Sequence, residues 1–254
     1  MKDKTFSDRV FRTCPYRDRE NFLLQQPRDN DVHVWSTNLQ ADDHTLENRN
    51  GYLSLDERTK AFRFDSELHR RRFIMARSTL RILISSYLNC EIATIDLAYG
   101  ERGKPTIRKP ATKLTFNVSH SHDRALYGFA HSRAIGVDIE RERKNIDVLA
   151  IAKRFFSTDE IKKITSLPEE NRLQAFFSCW TRKEAYLKAI GVGISGGLKN
   201  FTVTCDPDED VKLIKGNGVE NWELLSLTPA SKYTAAICVE GKDSKVQCRY
   251  FLHE

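Results

Sequence analysis

The chain has 254 residues, of which 40% are hydrophobic and 30% charged, a balance typical of a globular protein with a substantial core. No segment reaches the roughly 18 consecutive apolar residues of a membrane span, and the charged N-terminus lacks the apolar centre of a secretion signal. The net charge of +6 favours anionic partners, namely nucleic acid, phosphorylated small molecules or acidic proteins.

The cysteine pattern and the order of the segments indicate the compartment and the organisation of the chain. Six cysteines are scattered without a CxxC pair or a histidine at metal-ligand spacing. This argues against a zinc site and a disulfide framework, so we expect a cytoplasmic protein with reduced thiols. We predict an N-terminal extension over residues 1–30, a first α+β half over residues 31–140 and a second over residues 141–254.

In the first half, alternating apolar residues predict a strand over Asp31–Leu39, followed by a loop over residues 41–54. Helical spacing of apolar residues then predicts a long helical region from Leu55 to about Leu88. Glycines and prolines predict an irregular loop over residues 97–114. The alternation resumes over residues 114–140, where we expect two or three strands.

In the second half, Ser157 and Glu160 have the spacing of a capping box, which predicts a helix from about Thr158. Helical periodicity predicts a further helix over residues 171–190, with Gly191 as its C-terminal cap. We expect the last strands to form an antiparallel meander, and they have the sequences NFTVTC, WELLSL and YTAAICVE.

Two acidic residues lie on one face of a predicted strand. Asp138 and Glu140 are two positions apart, and the side chains of a strand alternate between its faces. Their like charges repel each other unless a positive group lies between them. Neighbouring Arg133, Arg141 or Arg143 could supply that charge, as on many strand surfaces. A divalent cation is the alternative, because Mg²⁺ prefers carboxylate oxygens.

A third carboxylate is available on a predicted helix. Trp180, Glu184 and Lys188 are spaced four residues apart and therefore share a face. An exposed Glu–Lys pair would contribute only about 0.3–0.5 kcal/mol. A carboxylate that is partly buried beside a tryptophan needs a partner, so Glu184 is either a surface residue or a third cation ligand.

Three further segments contain residue types that bind anions. NVSHSH (Asn117–His122) has Ser119 and His120 at a strand end, and GERGKP (Gly100–Pro105) is a glycine-bent basic loop. Both are also compatible with ordinary surface turns. The arginine-rich helix over Arg70–Arg81 is either a solvated face or a patch that binds a polyanion.

Five motifs occur in one order along the chain, and together they resemble the 4′-phosphopantetheinyl transferases of the large monomeric type that activates surfactin synthetase. The motifs are RGKP (Arg102–Pro105), FNVSH (Phe116–His120), GVDIE (Gly136–Glu140), AKRFFSTDE (Ala152–Glu160) and WTRKEAYLKAIGVGIS (Trp180–Ser195). The resemblance covers roughly residues 32–239. It implies an α+β fold of two pseudo-twofold-related halves, each a small antiparallel sheet packed with helices, with coenzyme A in the cleft between them.

The activity that the resemblance implies is transfer of 4′-phosphopantetheine from coenzyme A to a serine of an apo acyl or peptidyl carrier protein, with release of 3′,5′-ADP. The carrier would serve fatty acid, polyketide or nonribosomal peptide synthesis. By similarity, Asp138, Glu140 and Glu184 are Mg²⁺ ligands. Asp138, Glu184 and Lys188 are then the catalytic residues, with Lys188 stabilising the developing charge. The base for the serine is either Glu184, directly or through a water, or a metal-bound hydroxide or water relay, because a metal-bound carboxylate is a poor base.

The resemblance also implies a set of contacts to coenzyme A. Ser119 and His120 would hold the 3′-phosphate, Lys104 the adenosine end, and Lys183 and Lys188 the diphosphate. The complete implied set is Arg58, Lys60, Arg102, Lys104, Pro105, Ser119, His120, Asp138, Lys183, Glu184 and Lys188. The loop between Arg141 and Phe155 corresponds to the region that meets the carrier.

Two other classes of protein compete with the transferase. A Mg²⁺-dependent nucleotide phosphohydrolase would use the same carboxylates on water. A nucleic-acid-binding module would use the arginine-rich helix without needing Asp138 or Glu184, but few aromatic residues interleave with the basic ones. We therefore expect coenzyme A and acidic carrier proteins as partners, no nucleic acid or membrane, and a monomeric protein.

Overall fold

The computed structural model describes residues 11–14, 23–193 and 197–253. Its helices are α1 (Asp43–Gly51), α2 (Leu55–Phe62), α3 (Glu67–Leu88), α4 (Val148–Phe155), α5 (Thr158–Ser166) and α6 (Glu169–Ile190). Its strands are β1 (Arg12–Cys14), β2 (Asp31–Asn38), β3 (Asp96–Tyr99), β4 (Pro105–Lys109), β5 (Leu114–Ser121), β6 (Arg124–His131), β7 (Ile135–Arg141), β8 (Thr202–Val203), β9 (Leu213–Lys215), β10 (Trp222–Leu227), β11 (Tyr233–Glu240) and β12 (Lys245–Phe251). None of the helices in these ranges combines the length and apolar character needed to cross a bilayer.

Two sheets form the centre of the molecule. The larger has the order β1-β12-β2-β6-β5 and the smaller the order β10-β11-β7, while β3-β4 and β8-β9 are separate two-stranded hairpins. The predicted α+β class is confirmed. The larger sheet is not purely antiparallel as expected, because β12 runs parallel to both β1 and β2.

The sheets combine strands from both sides of the predicted boundary at residue 140. Strand β7 pairs with β11, which lies about a hundred residues later in the chain, and β12 pairs with β2 near the start of the described chain. The division into two pseudo-twofold-related halves stays a prediction.

The layers follow from the alternation of apolar side chains along the strands. Val32 and Val34 of β2 pack with Val137 and Ile237 of the smaller sheet, and Trp35 faces the opposite way. Helix α3 covers the outer face of the larger sheet, and α6 covers the outer face of the smaller sheet. The order of layers is therefore helix, sheet, sheet, helix, with apolar cores between them.

Four predicted elements differ from the structure. The loop predicted over residues 41–54 contains α1, which begins where the Asp42 carboxylate accepts a hydrogen bond from the Thr45 amide at 2.7 Å. The helical region predicted over residues 55–88 is interrupted between α2 and α3, because Ser66 caps a new helix. The loop predicted over residues 97–114 contains the β3-β4 hairpin, and the predicted meander is interrupted because β8 pairs with β9.

The capped helices agree with the predictions. Ser157 and Glu160 form both hydrogen bonds of a capping box at the start of α5. Gly191 has a φ of 76° and ends α6, a conformation that glycine adopts without steric cost. Helix α6 is therefore confirmed, and it begins two residues before the predicted range.

Candidate active site

Strand β7 presents its acidic residues towards helix α6. Ile135, Val137 and Ile139 are buried in the core between the two sheets. The intervening residues of the strand therefore point to the opposite face, as the alternation predicts. On that face Asp138 is 4% exposed and Glu140 is partly exposed.

Gly136 determines how closely α6 approaches this strand. A Cβ atom added at Gly136 would lie 2.1 Å from the carbonyl oxygen of Ala185 and 2.3 Å from the amide nitrogen of Ala189. Only a glycine leaves room for the helix backbone at this point. The close contact brings Glu184 and Lys188, which are one turn apart on α6, to the acidic face of β7.

We expect Gly136→Ala to destabilise the protein by about 3 kcal/mol, the upper part of the range for overpacking, because its new methyl group meets backbone atoms that cannot rotate away. The free energy of unfolding from urea titration measures the loss. Gly51→Ala is the matched control, since a Cβ there would have no atom within 4 Å. Equal stability of the two variants would show that α6 can shift without cost.

Asp138 has two partners on its Oδ1 atom. Ser119 Oγ donates to it at 2.8 Å, and Lys188 Nζ donates to it at 2.6 Å. Lys188 Nζ also donates to Ser119 Oγ at 2.8 Å. These three side chains from β5, β7 and α6 therefore form one closed set of hydrogen bonds.

A ladder of polar side chains on β5 fixes the edge of β7. Asn117 Oδ1 accepts a hydrogen bond from the Val137 amide at 2.9 Å, and Ser121 Oγ donates to Glu140 Oε2 at 2.8 Å. Asn117 and Ser121 were not among the predicted site residues. The signal that could have identified them is the alternation of Asn117, Ser119 and Ser121, which places all three on one face of the strand.

The carboxylates of Asp138 and Glu184 each have an unpaired oxygen. Asp138 Oδ2 and Glu184 Oε1 are buried and have no hydrogen-bond partner in the described part of the chain. Burial raises the pKa of Glu184 to about 7, with a further contribution from the negative charge of Asp138. Burial and then Asp138 also raise the pKa of Glu140. Buried carboxylate oxygens without donors are suited to a divalent cation.

The three predicted metal ligands lie in one region, where Asp138 and Glu140 have different hydrogen-bond partners and Glu184 Oε1 has none in the described residues. Within the described ranges, the group of three candidate ligand atoms lying within 4.8 Å of one another is Glu160, Cys179 and Cys205, not the acids of β7 and α6. Gathering all three acids around one cation therefore requires side-chain rotation.

His120 lies on β5 next to Ser119 and its side chain is exposed. Its pKa is lowered, first by partial removal from water and then by the positive charge of Lys188, with smaller effects of Arg72 and Arg77. The arginine-rich face of α3 therefore lies near enough to His120 to act on it electrostatically. This combination of a histidine and three cations is suited to an anion.

Lys183 does not lie beside the other predicted ligands, and its burial argues against the predicted contact with the diphosphate, which stays a prediction. Its side chain is fully buried, and Nζ donates to both oxygens of Glu160, at 2.6 and 2.8 Å, and to the carbonyl of Phe201 at 2.7 Å. Neighbouring residues on a helix point about 100° apart. Lys183 therefore enters the core while Glu184 faces β7.

The remaining predicted ligands come from the first half of the sequence. Lys104 is half-buried, and its ammonium group contacts two backbone carbonyls at the end of α6 and that of Ile135 on β7. Arg102 is exposed, and Pro105 begins β4. Arg58 donates to two backbone carbonyls between α1 and α2, at 2.9 and 3.1 Å, and Lys60 lies 5.6 Å from the centre of the Phe73 ring. Their contacts with coenzyme A stay predictions.

Comparisons with known proteins cover both halves of the chain. A family model described as the 4′-phosphopantetheinyl transferase superfamily matches residues 134–238, and one described as 4′-phosphopantetheinyl transferase, N-terminal, matches residues 38–128. The 4′-phosphopantetheinyl transferase HetI of Nostoc is 38% identical over 213 residues, which cover 83% of this chain and 88% of the relative. The 4′-phosphopantetheinyl transferase Sfp of Bacillus subtilis is 32% identical, over 76% of this chain and 84% of the relative.

Among solved structures, the holo-[acyl-carrier-protein] synthase of Thermotoga maritima matches with a TM-score of 0.36 and 17% identity, over 43% of this chain and 64% of that chain. The sequence matches to HetI and to the two family models identify the class of protein. The chain belongs to the 4′-phosphopantetheinyl transferase family, which confirms the predicted family, while the surfactin-synthetase-activating type stays a prediction.

Proposed function

We propose that this protein transfers the 4′-phosphopantetheine group of coenzyme A to a serine of an apo carrier protein and releases 3′,5′-ADP. The observation that carries the proposal is the pair of buried, unpaired carboxylate oxygens on Asp138 and Glu184, beside the ammonium group of Lys188. Oxygens in this arrangement suit a cation that also binds the diphosphate of coenzyme A.

Asp138, Glu140 and Glu184 are the residues that would hold Mg²⁺. The fit rests on their oxygen donors and on the two orphaned oxygens, since a buried carboxylate without a donor is costly unless a cation balances it. When bound, Mg²⁺ would offset the negative charge that gathers on the phosphate oxygens during transfer.

The chain's own residues account for orientation and proton transfer in the proposed reaction. Lys188 lies 2.6 Å from Asp138 and is positioned to stabilise charge on a diphosphate bound beside it. Glu184 is the proposed base for the carrier serine, directly or through a water, because its carboxylate lies close enough to Asp138 and Lys188 to interact with both. The serine oxygen then bonds to the phosphorus of the pantetheine phosphate, and the bond from that phosphorus to 3′,5′-ADP breaks.

The carrier protein is proposed to approach the segment between β7 and α5, which the sequence predicted as a loop and which contains α4. Arg141, Arg143, Lys144, Lys153 and Arg154 are exposed along this segment. An acidic carrier would be attracted to such a surface, and long-range attraction raises the rate of encounter.

We extend the proposal to a monomeric, cytoplasmic protein that works on these two substrates without nucleic acid or membrane.

Incubation with coenzyme A, Mg²⁺ and an apo carrier protein tests the function. We expect the carrier to gain the mass of one phosphopantetheine group, and a carrier with alanine at the modified serine to remain unchanged. Release of phosphate from coenzyme A without any carrier modification would instead indicate a phosphohydrolase and would contradict the proposal.

The pKa of Glu184 predicts a pH-dependent stability when divalent cations are removed. A carboxyl group whose folded pKa is raised from 4.5 to about 7 binds its proton more tightly in the folded state, so stability falls as the pH rises between these values. A shift of this size corresponds to about 3 kcal/mol. Urea titrations in EDTA at pH 5 and pH 8 measure the loss.

Glu184→Gln is the control, because its amide cannot ionise and fills nearly the same space. We expect this variant to be more stable than the unmodified protein at pH 8 in EDTA by about 3 kcal/mol, and of similar stability at pH 5. If both proteins lose the same stability between the two pH values, Glu184 is not the group responsible.

A further inference from the structure

One side chain from outside the site joins the two elements that carry it. Lys104 lies on the loop before β4, and its Nζ donates to the carbonyl oxygen of Lys188 at 2.6 Å and to that of Ile135 at 3.2 Å. The carbonyl of Ala189 lies 3.5 Å from the same atom. The ammonium group therefore bridges the last turn of α6 and the first residue of β7.

The end of α6 needs such a donor. The last carbonyl groups of a helix have no partner within the helix, and together they carry partial negative charge. The amide of Gly191, the C-cap residue, bonds back to the carbonyl of Leu187. The next two carbonyls, those of Lys188 and Ala189, accept hydrogen bonds from the ammonium group of Lys104 instead.

The bridged residues are directly linked to the proposed catalytic groups. Lys104 makes its shortest hydrogen bond to the carbonyl of Lys188. The ammonium group of Lys188 in turn donates to Asp138. Ile135 lies three positions before Asp138 on β7, and between them Gly136 is in close contact with the α6 backbone. A small shift of the last turn of α6 would therefore change the distance between Lys188 and Asp138.

We propose that Lys104 is a positioning residue, which fixes the register of α6 against β7 and so places Lys188 beside Asp138. The inference deepens the proposed function, on which its kinetic test rests. It differs from the contact with the adenosine end of coenzyme A that the sequence motif predicts for the same residue.

The contacts of Lys104 favour positioning over ligand binding. An ammonium group has three N–H donors, and three carbonyl oxygens surround this one. Burial lowers the pKa of Lys104, and no acidic side chain contributes to the shift. A phosphate could bind the ammonium group only if these carbonyls gave up their donor, which would leave the helix end unpaired.

Lys104→Met tests the proposal, because it keeps the length of the side chain and removes the donors. With Mg²⁺ and a saturating apo carrier, we expect kcat to fall at least tenfold, while KM for coenzyme A and for 3′-dephospho-coenzyme A each changes less than twofold. We also expect the backbone amides of residues 187–190 to exchange with deuterium at least ten times faster. Lys104→Arg, which retains donors, should restore most of kcat, and Lys113→Met, at an exposed lysine, should change neither quantity.

Two results would overturn the inference. A rise of tenfold or more in KM for coenzyme A with unchanged kcat and unchanged exchange would assign Lys104 to ligand binding. Unchanged kinetic constants and unchanged deuterium exchange in Lys104→Met would show that Lys104 does not position α6. If Lys104→Met does not fold, Lys104→Gln replaces it in the same measurements, since one amide cannot supply three donors. If the unmodified protein modifies no carrier, the proposed function fails, while the exchange measurement still decides whether Lys104 holds the helix end.

Discussion

Asp138→Ala is expected to lower kcat for phosphopantetheine transfer about a thousandfold, because several kcal/mol of charge stabilisation depend on this carboxylate. Its Oδ1 holds Lys188 and Ser119, and its Oδ2 is one of the two orphaned oxygens suited to a cation. The measurement is the rate of carrier modification, followed by mass spectrometry at saturating coenzyme A and Mg²⁺.

The same variant should remain folded. The side chains of β7 that pack in the core between the sheets are Ile135, Val137 and Ile139, and the substitution does not touch them. Asp210→Asn provides the matched control, since the side chain of Asp210 is 86% exposed and lies outside the site. A folded Asp138→Ala variant with the control's kcat would rule out the proposed metal site.

Lys183→Met is expected to cost about 3–5 kcal/mol of unfolding free energy, because removing one partner of a buried ion pair leaves the other charge uncompensated. Both side chains of the Lys183–Glu160 pair have an exposed fraction of 0%. Glu160 also accepts hydrogen bonds from the amides of Ser157 and Val203, so its charge lies where α5 begins and β8 ends. Urea titration gives the loss directly.

Lys162→Met, at an exposed lysine of α5, is the matched control and should leave stability within about 0.5 kcal/mol. The kinetic constants of the fraction of Lys183→Met that remains folded should be close to those of the control. A large rise in KM for coenzyme A with unchanged stability would instead support the contact between Lys183 and the diphosphate that the sequence motif predicts.

The secondary structure was predictable wherever the pattern of the chain is local. The alternation in β5 to β7 and the caps of α5 and α6 depend on residues a few positions apart, and these predictions are confirmed. Helix α1 was missed because its sequence, DHTLENRNG, contains Leu46 as its one large apolar residue. Its position depends on tertiary packing, in which Leu46 joins an apolar cluster with Ile74 of α3.

The candidate site was predictable to a similar extent. The order of the motifs predicts that Asp138, Glu140, Glu184 and Lys188 lie in one region. In the structure, the charges of the other three residues all affect the pKa of Glu184, as expected for neighbours. The predicted helix already separates Lys183 from Glu184 by about 100°. The sequence does not show that Lys183 is buried against Glu160, because that contact joins α6 to α5.

The position of β12 also governs how the protein can fold during synthesis. Lys245–Phe251 lies between β1 and β2, so the larger sheet cannot be completed until residues 245–251 have left the ribosome. Until then, one edge of β2 has no partner strand. Strands β2 and β12 are separated by some two hundred residues, and pairing at such a distance favours slow folding. Separate expression of residues 31–140 would therefore leave an open strand edge that invites aggregation.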